Sequence, residues 1–282
     1  MATVIVANDL VGVGKVALTS SLPIMSACQT EVLPLPTVLL SSHTGEFENI
    51  YMRDLTDDLK GFYKQWEHLD FTVDGLVSGY FKSREELKIV GQLARDKRIA
   101  LFVDPIMGDN GRLYQGFDME YVEAMKDFCQ QADAIIPNLT EASLLTDSPY
   151  LEVGSYDKAT VDKLLRDLTK LGPRKVVLTG ISFEEGKIGL AYFDKETNKT
   201  TYLMRKSYKS HFYGSGDLVT AILASGYFHH LNLLKVANLA LDFMDQVLSS
   251  TLASGRPLKY GLCYEPHIGY LFSGFNALLE EK

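Results

Sequence analysis

The chain has 282 residues, room for one large α/β domain or two small ones, with 46% hydrophobic and 23% charged residues, as in water-soluble globular proteins. A net charge of −8 excludes nucleic acid as the main partner, because no basic surplus exists to neutralise a phosphate backbone; it leaves room for a local phosphate pocket. No apolar run reaches membrane-spanning length, and the start Met1-Ala2-Thr3-Val4-Ile5-Val6 lacks the features of a secretory leader. Cys28, Cys129 and Cys263 are odd in number and far apart, so a cytoplasmic chain with reduced thiols is expected.

Short apolar runs at residues 4–7, 32–40, 75–78, 99–103, 134–136 and 175–179 predict strands. Amphipathic stretches lie between them. Residues 85–97 put Leu87, Val90, Leu93 and Ala94 on one helical face; residues 158–171 do the same with Val161, Leu164, Leu165 and Leu168, and Gly172-Pro173 stops that helix. The alternation implies a mainly parallel sheet with helices on both faces. Pro34 and Pro36 place the second strand partly on an edge or flap. Residues 188–193 and 201–205 predict an antiparallel pair around a polar turn, and residues 218–279 a nearly all-helical end. Without repeats, low complexity or a linker, residues 1–282 are expected to form a single domain.

In open α/β sheets ligands bind beyond the carboxyl ends of the strands. The first strand is expected to end at Asn8-Asp9, with Gly12, Gly14 and Lys15 in the turn that follows. Gly12-x-Gly14-x-x-Ala17 matches a dinucleotide fingerprint poorly, because its glycines start four residues after the strand. Gly14-Lys15 lacks the leading glycine and the following Ser or Thr of a P-loop. Two readings remain: a glycine-rich turn beside a small ligand, with Asn8 as donor and acceptor, or a plain turn before a helix. Ser41-Ser42-His43-Thr44-Gly45 supplies small hydrogen-bonding groups for a polar heterocycle or forms a solvated turn; no carboxylate near in sequence orients His43 as a base. Gly79-Tyr80-Phe81 offers an aromatic wall or core packing.

Asp104 and Asp109 straddle a Pro and a Gly just past a buried strand. A carboxylate there is costly unless paired, which points to a hard cation such as Mg²⁺ held with substrate phosphates. Asn138 and Glu141 have capping-box spacing, and Glu141 is also a candidate for the metal and its waters. Thr179-Gly180, at another strand end, is placed to face a nucleotide. Gly214-Ser215-Gly216-Asp217 opens a helix. Its glycines let N–H groups converge, the helix dipole adds positive potential, and Asp217 beside such an anion cradle fits a base that accepts a proton from an attacking alcohol. Ordinary capping by Asp217 is the alternative.

Taken together and in this order, these segments resemble the pyridoxal (vitamin B6) kinases of the ribokinase-like superfamily, over nearly the full chain. Asp104-Pro105-Ile106-Met107-Gly108-Asp109 and Gly214-Ser215-Gly216-Asp217 are the specific ones. The resemblance implies a three-layer α/β/α fold with a β flap or hairpin and a helical C-terminal part. It implies ATP-dependent phosphorylation of the 5′-hydroxymethyl group of a B6 vitamer, with Asp217 as base and Gly214, Ser215 and Gly216 as anion hole. Asp104, Asn138, Glu141 and Thr179 would serve the nucleotide phosphates, and Asp104, Asp109 and Glu141 the Mg²⁺. Asn8, Thr44, Tyr80 and Asp217 would hold the vitamer. A monovalent cation such as K⁺ and a homodimer are implied as well. The family often has Ser where this chain has Asn8 and Thr where it has Ser215, and the basic, aromatic stretch 207–213 does not map onto a nucleotide contact. Hydroxymethylpyrimidine kinases share the late glycine motif and the chemistry, and form the nearest alternative. A non-catalytic ligand sensor and a nicotinamide-dependent oxidoreductase are the others.

Overall fold

The periodicities of the sequence are realised in a computed structural model that describes residues 1–69 and 71–282. Two units are distinguished by their internal contacts, Met1–Lys82 with Tyr208–Lys282, and Ser83–Ser207.

The first unit begins with β1 (Ala2–Val13), α1 (Ala17–Ala27), β2 (Thr30–Ser42), β3 (Met52–Asp54), α2 (Thr56–Trp66) and β4 (Gly75–Ser78). β1 pairs in parallel with β2 on one side and β4 on the other, and β3 runs antiparallel to β2. Val4, Ile5, Val6 and Ala7 are buried, as a strand between two others requires. The expected end of this strand at Asn8-Asp9 is corrected by the structure. Pairing with β4 stops at Ala7, but β1 continues beside β2 to Val13 through a register shift between Asn8 and Leu10. Asn8, Asp9 and Gly12 therefore lie within a strand, because one neighbour still supplies backbone partners after the other has ended. Pro34 and Pro36 are tolerated in β2 because β3 pairs only with residues 38–40, leaving the proline segment one strand neighbour.

The second unit contains α3 (Arg84–Lys97), β5 (Ala100–Val103), β6 (Gly108–Asp109), β7 (Arg112–Leu113), α4 (Met119–Cys129), β8 (Ala134–Ile135), α5 (Leu139–Leu145), α6 (Lys158–Leu171), β9 (Lys175–Ile181), β10 (Lys187–Asp194) and β11 (Lys199–Lys206). β5, β8 and β9 are parallel; β10 pairs antiparallel with both β9 and β11, as the alternating sequence on either side of the polar turn predicts. Ser83 and Glu86 close a capping box on α3, whose Leu87, Val90, Leu93 and Ala94 are buried. In α6, Val161, Leu164, Leu165 and Leu168 face inward and Gly172 ends the helix.

The first unit resumes with α7 (Ser215–Phe228), α8 (Leu233–Ala253) and α9 (Ile268–Glu280), the helical end expected from the sequence. α7 packs on α1 and α8, and α8 on α9. Mainly parallel strands alternating with helices make this the expected α/β/α organisation. Among the described residues no helix is long and apolar enough to cross a membrane.

Candidate active site

In the first unit the site is built around the start of α7. Gly214 precedes that helix with φ of 84°, and a Cβ there would lie 2.6 Å from the Lys15 carbonyl oxygen, so a side chain is excluded both by backbone conformation and by space. A glycine cap also brings no side chain to occupy the first N–H groups of the helix, which stay available to an anion. Ser215 donates its hydroxyl to the Phe212 carbonyl at 3.1 Å, which braces the turn from below.

Asp217 is the third residue of α7 and half-buried. Its carboxylate accepts from the Ala17 N–H and from the side chain of Asn8. Burial outweighs these donors and pushes its pKa up to about 6. Asn8 is well placed for this task. Its Oδ1 accepts from the N–H of Asp9 at 3.0 Å and of Tyr80 at 2.7 Å, which leaves its amide nitrogen to donate to Asp217. Tyr80 accepts at its carbonyl from Thr37 Oγ1 at 2.8 Å and packs against the cluster of Val11, Ala17, Val38 and Leu40. Asn8, Tyr80 and Asp217 are thus brought together. Thr44 is exposed on the bend after β2, and among the described residues no hydrogen bond joins it to those three.

Two neighbours complete this region. Asp9 is buried, and burial together with the charge of Asp217 raises its pKa to about 8. Sequence reasoning named it only as part of the expected strand end and gave it no role, although a carboxylate at the end of an apolar strand was the signal used for Asp104. His43 is buried, accepts at Nδ1 from the Gly45 N–H at 3.0 Å, and meets the Lys259 carbonyl through Nε2 at 2.6 Å. With both nitrogens committed, and burial lowering its pKa, it has no nitrogen left to serve as a base.

In the second unit the capping box is present as its spacing predicts. Asn138 Oδ1 accepts from the N–H groups of Thr140 at 2.8 Å and Glu141 at 3.0 Å, while Glu141 Oε2 accepts from the Asn138 N–H at 2.8 Å. The other Glu141 oxygen takes the Met107 N–H at 3.3 Å, and Asn138 Nδ2 donates to the Gly108 carbonyl at 2.9 Å. These bonds stitch α5 to the stretch that runs from the end of β5 through β6 and carries Asp104 and Asp109. Burial, then the charge of Asp104, and more weakly that of Asp109, hold the Glu141 carboxyl well above the usual carboxylate range. Asp104 is buried just past β5, and Asp109 accepts from the N–H and side-chain amide of Asn110 at 2.8 and 3.0 Å. Crowded carboxylates of this kind suit a hard divalent cation, which takes few protein ligands when phosphates and water supply the rest. They do not form a ready-made cage: among the described residues no group of three or more His, Cys, Asp or Glu is set to hold a metal by itself. Thr179 is half-buried, its N–H donates to the Pro137 carbonyl at 2.9 Å, and it bridges to Asn138, so these two expected nucleotide residues are neighbours.

A family model for phosphomethylpyrimidine kinase matches residues 56–260. The pyridoxal kinase of Dictyostelium discoideum is 26% identical over 248 residues, 81% of this chain and 79% of its own. The crystal structure of pyridoxal kinase from Lactobacillus plantarum superposes with a TM-score of 0.89 at 30% identity over 97% of both chains. A Bacteroides thetaiotaomicron protein provisionally named a phosphomethylpyrimidine kinase, and crystallised with pyridoxal, gives a TM-score of 0.90 at 30% identity over 96% of this chain and 95% of its own. With its α/β/α fold, its glycine turn and these likenesses, the chain belongs to the phosphomethylpyrimidine kinase family of the ribokinase-like superfamily, alongside the pyridoxal kinases.

Proposed function

We propose that the chain is an enzyme that transfers the γ-phosphoryl group of ATP to the 5′-hydroxymethyl group of a B6 vitamer, giving the 5′-phosphate and ADP. The observation that carries this reading is Asp217: a half-buried carboxylate at a helix start opened by glycine, held by Ala17 and Asn8, with a pKa near 6. A primary alcohol is a poor nucleophile at neutral pH. A carboxylate tuned close to neutrality is a better proton acceptor than an ordinary one, yet remains ionised at pH 7. Asp217 accepts the hydroxyl proton as the oxygen–phosphorus bond forms. The N–H groups of Gly214, Ser215 and Gly216 receive the charge of the transferring group, and positioning supplies most of the acceleration.

Asn8 and Tyr80 line the vitamer pocket, with Thr44 contributing from its bend. Asp104, Asn138, Glu141 and Thr179 serve the nucleotide phosphates. Asp104, Asp109 and Glu141 would hold Mg²⁺, directly or through water, and the ion would supply charge neutralisation on the phosphate oxygens. K⁺ is the expected monovalent auxiliary. The whole chain, residues 1–282, acts as one kinase domain, as a homodimer in the cytoplasm.

The test is a panel of pyridoxal, pyridoxine, pyridoxamine and hydroxymethylpyrimidine with Mg-ATP, read as ADP formed and phosphorylated product. The expected result is turnover of at least one B6 vitamer, faster in K⁺ than in Na⁺ buffer. The family model is described as phosphomethylpyrimidine kinase, so a pyrimidine substrate is the competing reading, here a hydroxymethylpyrimidine kinase. Preferential turnover of the pyrimidine would establish it, and binding without any ADP release would leave a ligand sensor.

A further inference from the structure

We propose that His43 is a positioning residue, which locks the bend carrying Thr44 onto the residue that enters the glycine turn. The inference rests on the kinase reading above and adds a residue that reading leaves without a role.

Three kinds of contact converge on the imidazole. Nδ1 accepts from the Gly45 N–H at 3.0 Å, which folds the bend back on itself. An acceptor cannot carry the proton, so Nε2 carries it and donates to the Lys259 carbonyl at 2.6 Å; the tautomer is fixed by its two partners. The ring stacks on Tyr213, with centroids 4.6 Å apart and planes 27° from parallel, and Phe47 meets it edge-on at 4.9 Å. Tyr213 is the residue directly before Gly214. Its hydroxyl donates to Glu46 Oε1 at 3.1 Å, on the same bend as His43. Gly45 lies so close beneath that ring that a Cβ there would stand 2.2 Å from Tyr213 Cε1. Stacking, a hydrogen bond and close approach thus join residues 43–46 to residue 213. Thr44 is held between tethered neighbours, and the start of the anion cradle is held by the same ring. None of these atoms has to touch a substrate. Their effect is to keep one spacing between the pocket bend and the phosphoryl-binding turn, which loss of any tie would loosen.

Steady-state kinetics of the full chain tests this, using the vitamer that the wild type turns over best. His43→Phe keeps a ring on Tyr213 and removes both hydrogen bonds. The vitamer KM is expected to rise on the order of tenfold and the ATP KM to stay within about twofold. His43→Asn returns an acceptor to the Gly45 N–H and should recover part of the loss. Tyr213→Leu should act in the same direction as His43→Phe, and the double variant should be no worse than the poorer single one, since both cut one device. An unchanged vitamer KM in His43→Phe, equal rises for both substrates, or additive losses in the double variant would overturn the role. Should His43→Phe fail to fold by circular dichroism, His43→Asn and Tyr213→Leu carry the same comparison. Wild-type turnover measured alongside separates the two claims. No turnover of any vitamer defeats the kinase reading and this role with it, whereas normal wild-type turnover with an unaltered His43→Phe defeats this role alone.

Discussion

Asp217 and Glu141 occupy the same local position, the third residue of a helix, in different units, yet they are surrounded for opposite purposes. Burial raises the pKa of both. Glu141 follows an Asn cap, spends its two oxygens on the N–H groups of Asn138 and Met107, and has the charges of Asp104 and Asp109 nearby. Asp217 follows a glycine cap, is steadied by Ala17 and Asn8, and comes to rest near 6. A carboxylate crowded by other carboxylates asks for a cation. One held by neutral donors, beside a carboxyl (Asp9) that burial and the charge of Asp217 keep protonated near neutrality, is poised to exchange a proton. Position along a helix therefore does not assign a role; the company a side chain keeps does.

The largest effect that could break this contrast lies at Asp217. Asp217→Asn keeps size and polarity and removes the base, so kcat should fall by roughly 10²–10⁴ with the ATP KM nearly unchanged. A variant with near wild-type turnover would mean that Asp217 is a cap and no more. Glu141→Gln is the matching change in the second unit. It leaves an oxygen for the Asn138 N–H while removing charge. Its Mg-ATP KM should rise about tenfold, on the scale of a lost charged contact, and kcat should fall less than in Asp217→Asn. Titration of Mg²⁺ at fixed ATP distinguishes the two. If Glu141→Gln lost mainly kcat and kept its Mg²⁺ dependence, the roles drawn here would be reversed.

How far the sequence could reach follows from how local each feature is. The Asn138–Glu141 box, the faces of α3 and α6 and the turn at Gly214 depend on residues within a few positions of one another, and the structure has them where the spacing puts them. Asn8 illustrates what is not local. Its polar character suggested a strand end, but β2 supplies a partner that carries β1 on to Val13. Ala17 donates to Asp217 from a backbone with φ of 52°, a conformation nothing in its side chain announces. The bond from His43 to Lys259 spans 216 positions and leaves no trace in either local sequence. The chemistry-bearing residues were legible because their types are costly in apolar surroundings; the groups that aim them were not, because backbone donors and carbonyls have no residue code.

A smaller effect sharpens the account of Asp217. Asn8→Ala removes a donor that favours the charged carboxylate, so the Asp217 pKa should climb above its value of about 6. In the wild type, kcat should rise with pH through an acid limb near that value and then level off. In Asn8→Ala the limb should move up by about one unit, as expected for a lost hydrogen bond to a charged group. Activity at pH 7 would then be depressed and largely regained at pH 9. A drop of equal size at every pH would show that Asn8 serves only the vitamer.

The smallest effect concerns Asp9, and it is read in stability. Its pKa is raised from 3.8 to about 8, so between those values the folded chain binds a proton that the unfolded chain has released. Stability from this group is present at low pH and is lost as pH rises through that window, with no further loss above it. Asp9→Asn cannot ionise and escapes the loss. Its Tm should match the wild type near pH 4 and exceed it by on the order of ten degrees at pH 8, measured by scanning calorimetry across the window. The charge of Asp217 is part of what raises Asp9, so the same gap should narrow when both proteins also carry Asp217→Asn. A gap that is flat with pH, or indifferent to residue 217, would mean that the charge of Asp217 does not act on Asp9; the pKa of Asp217 itself is set by burial against its donors, the Ala17 N–H, the Asn8 amide and its own N–H.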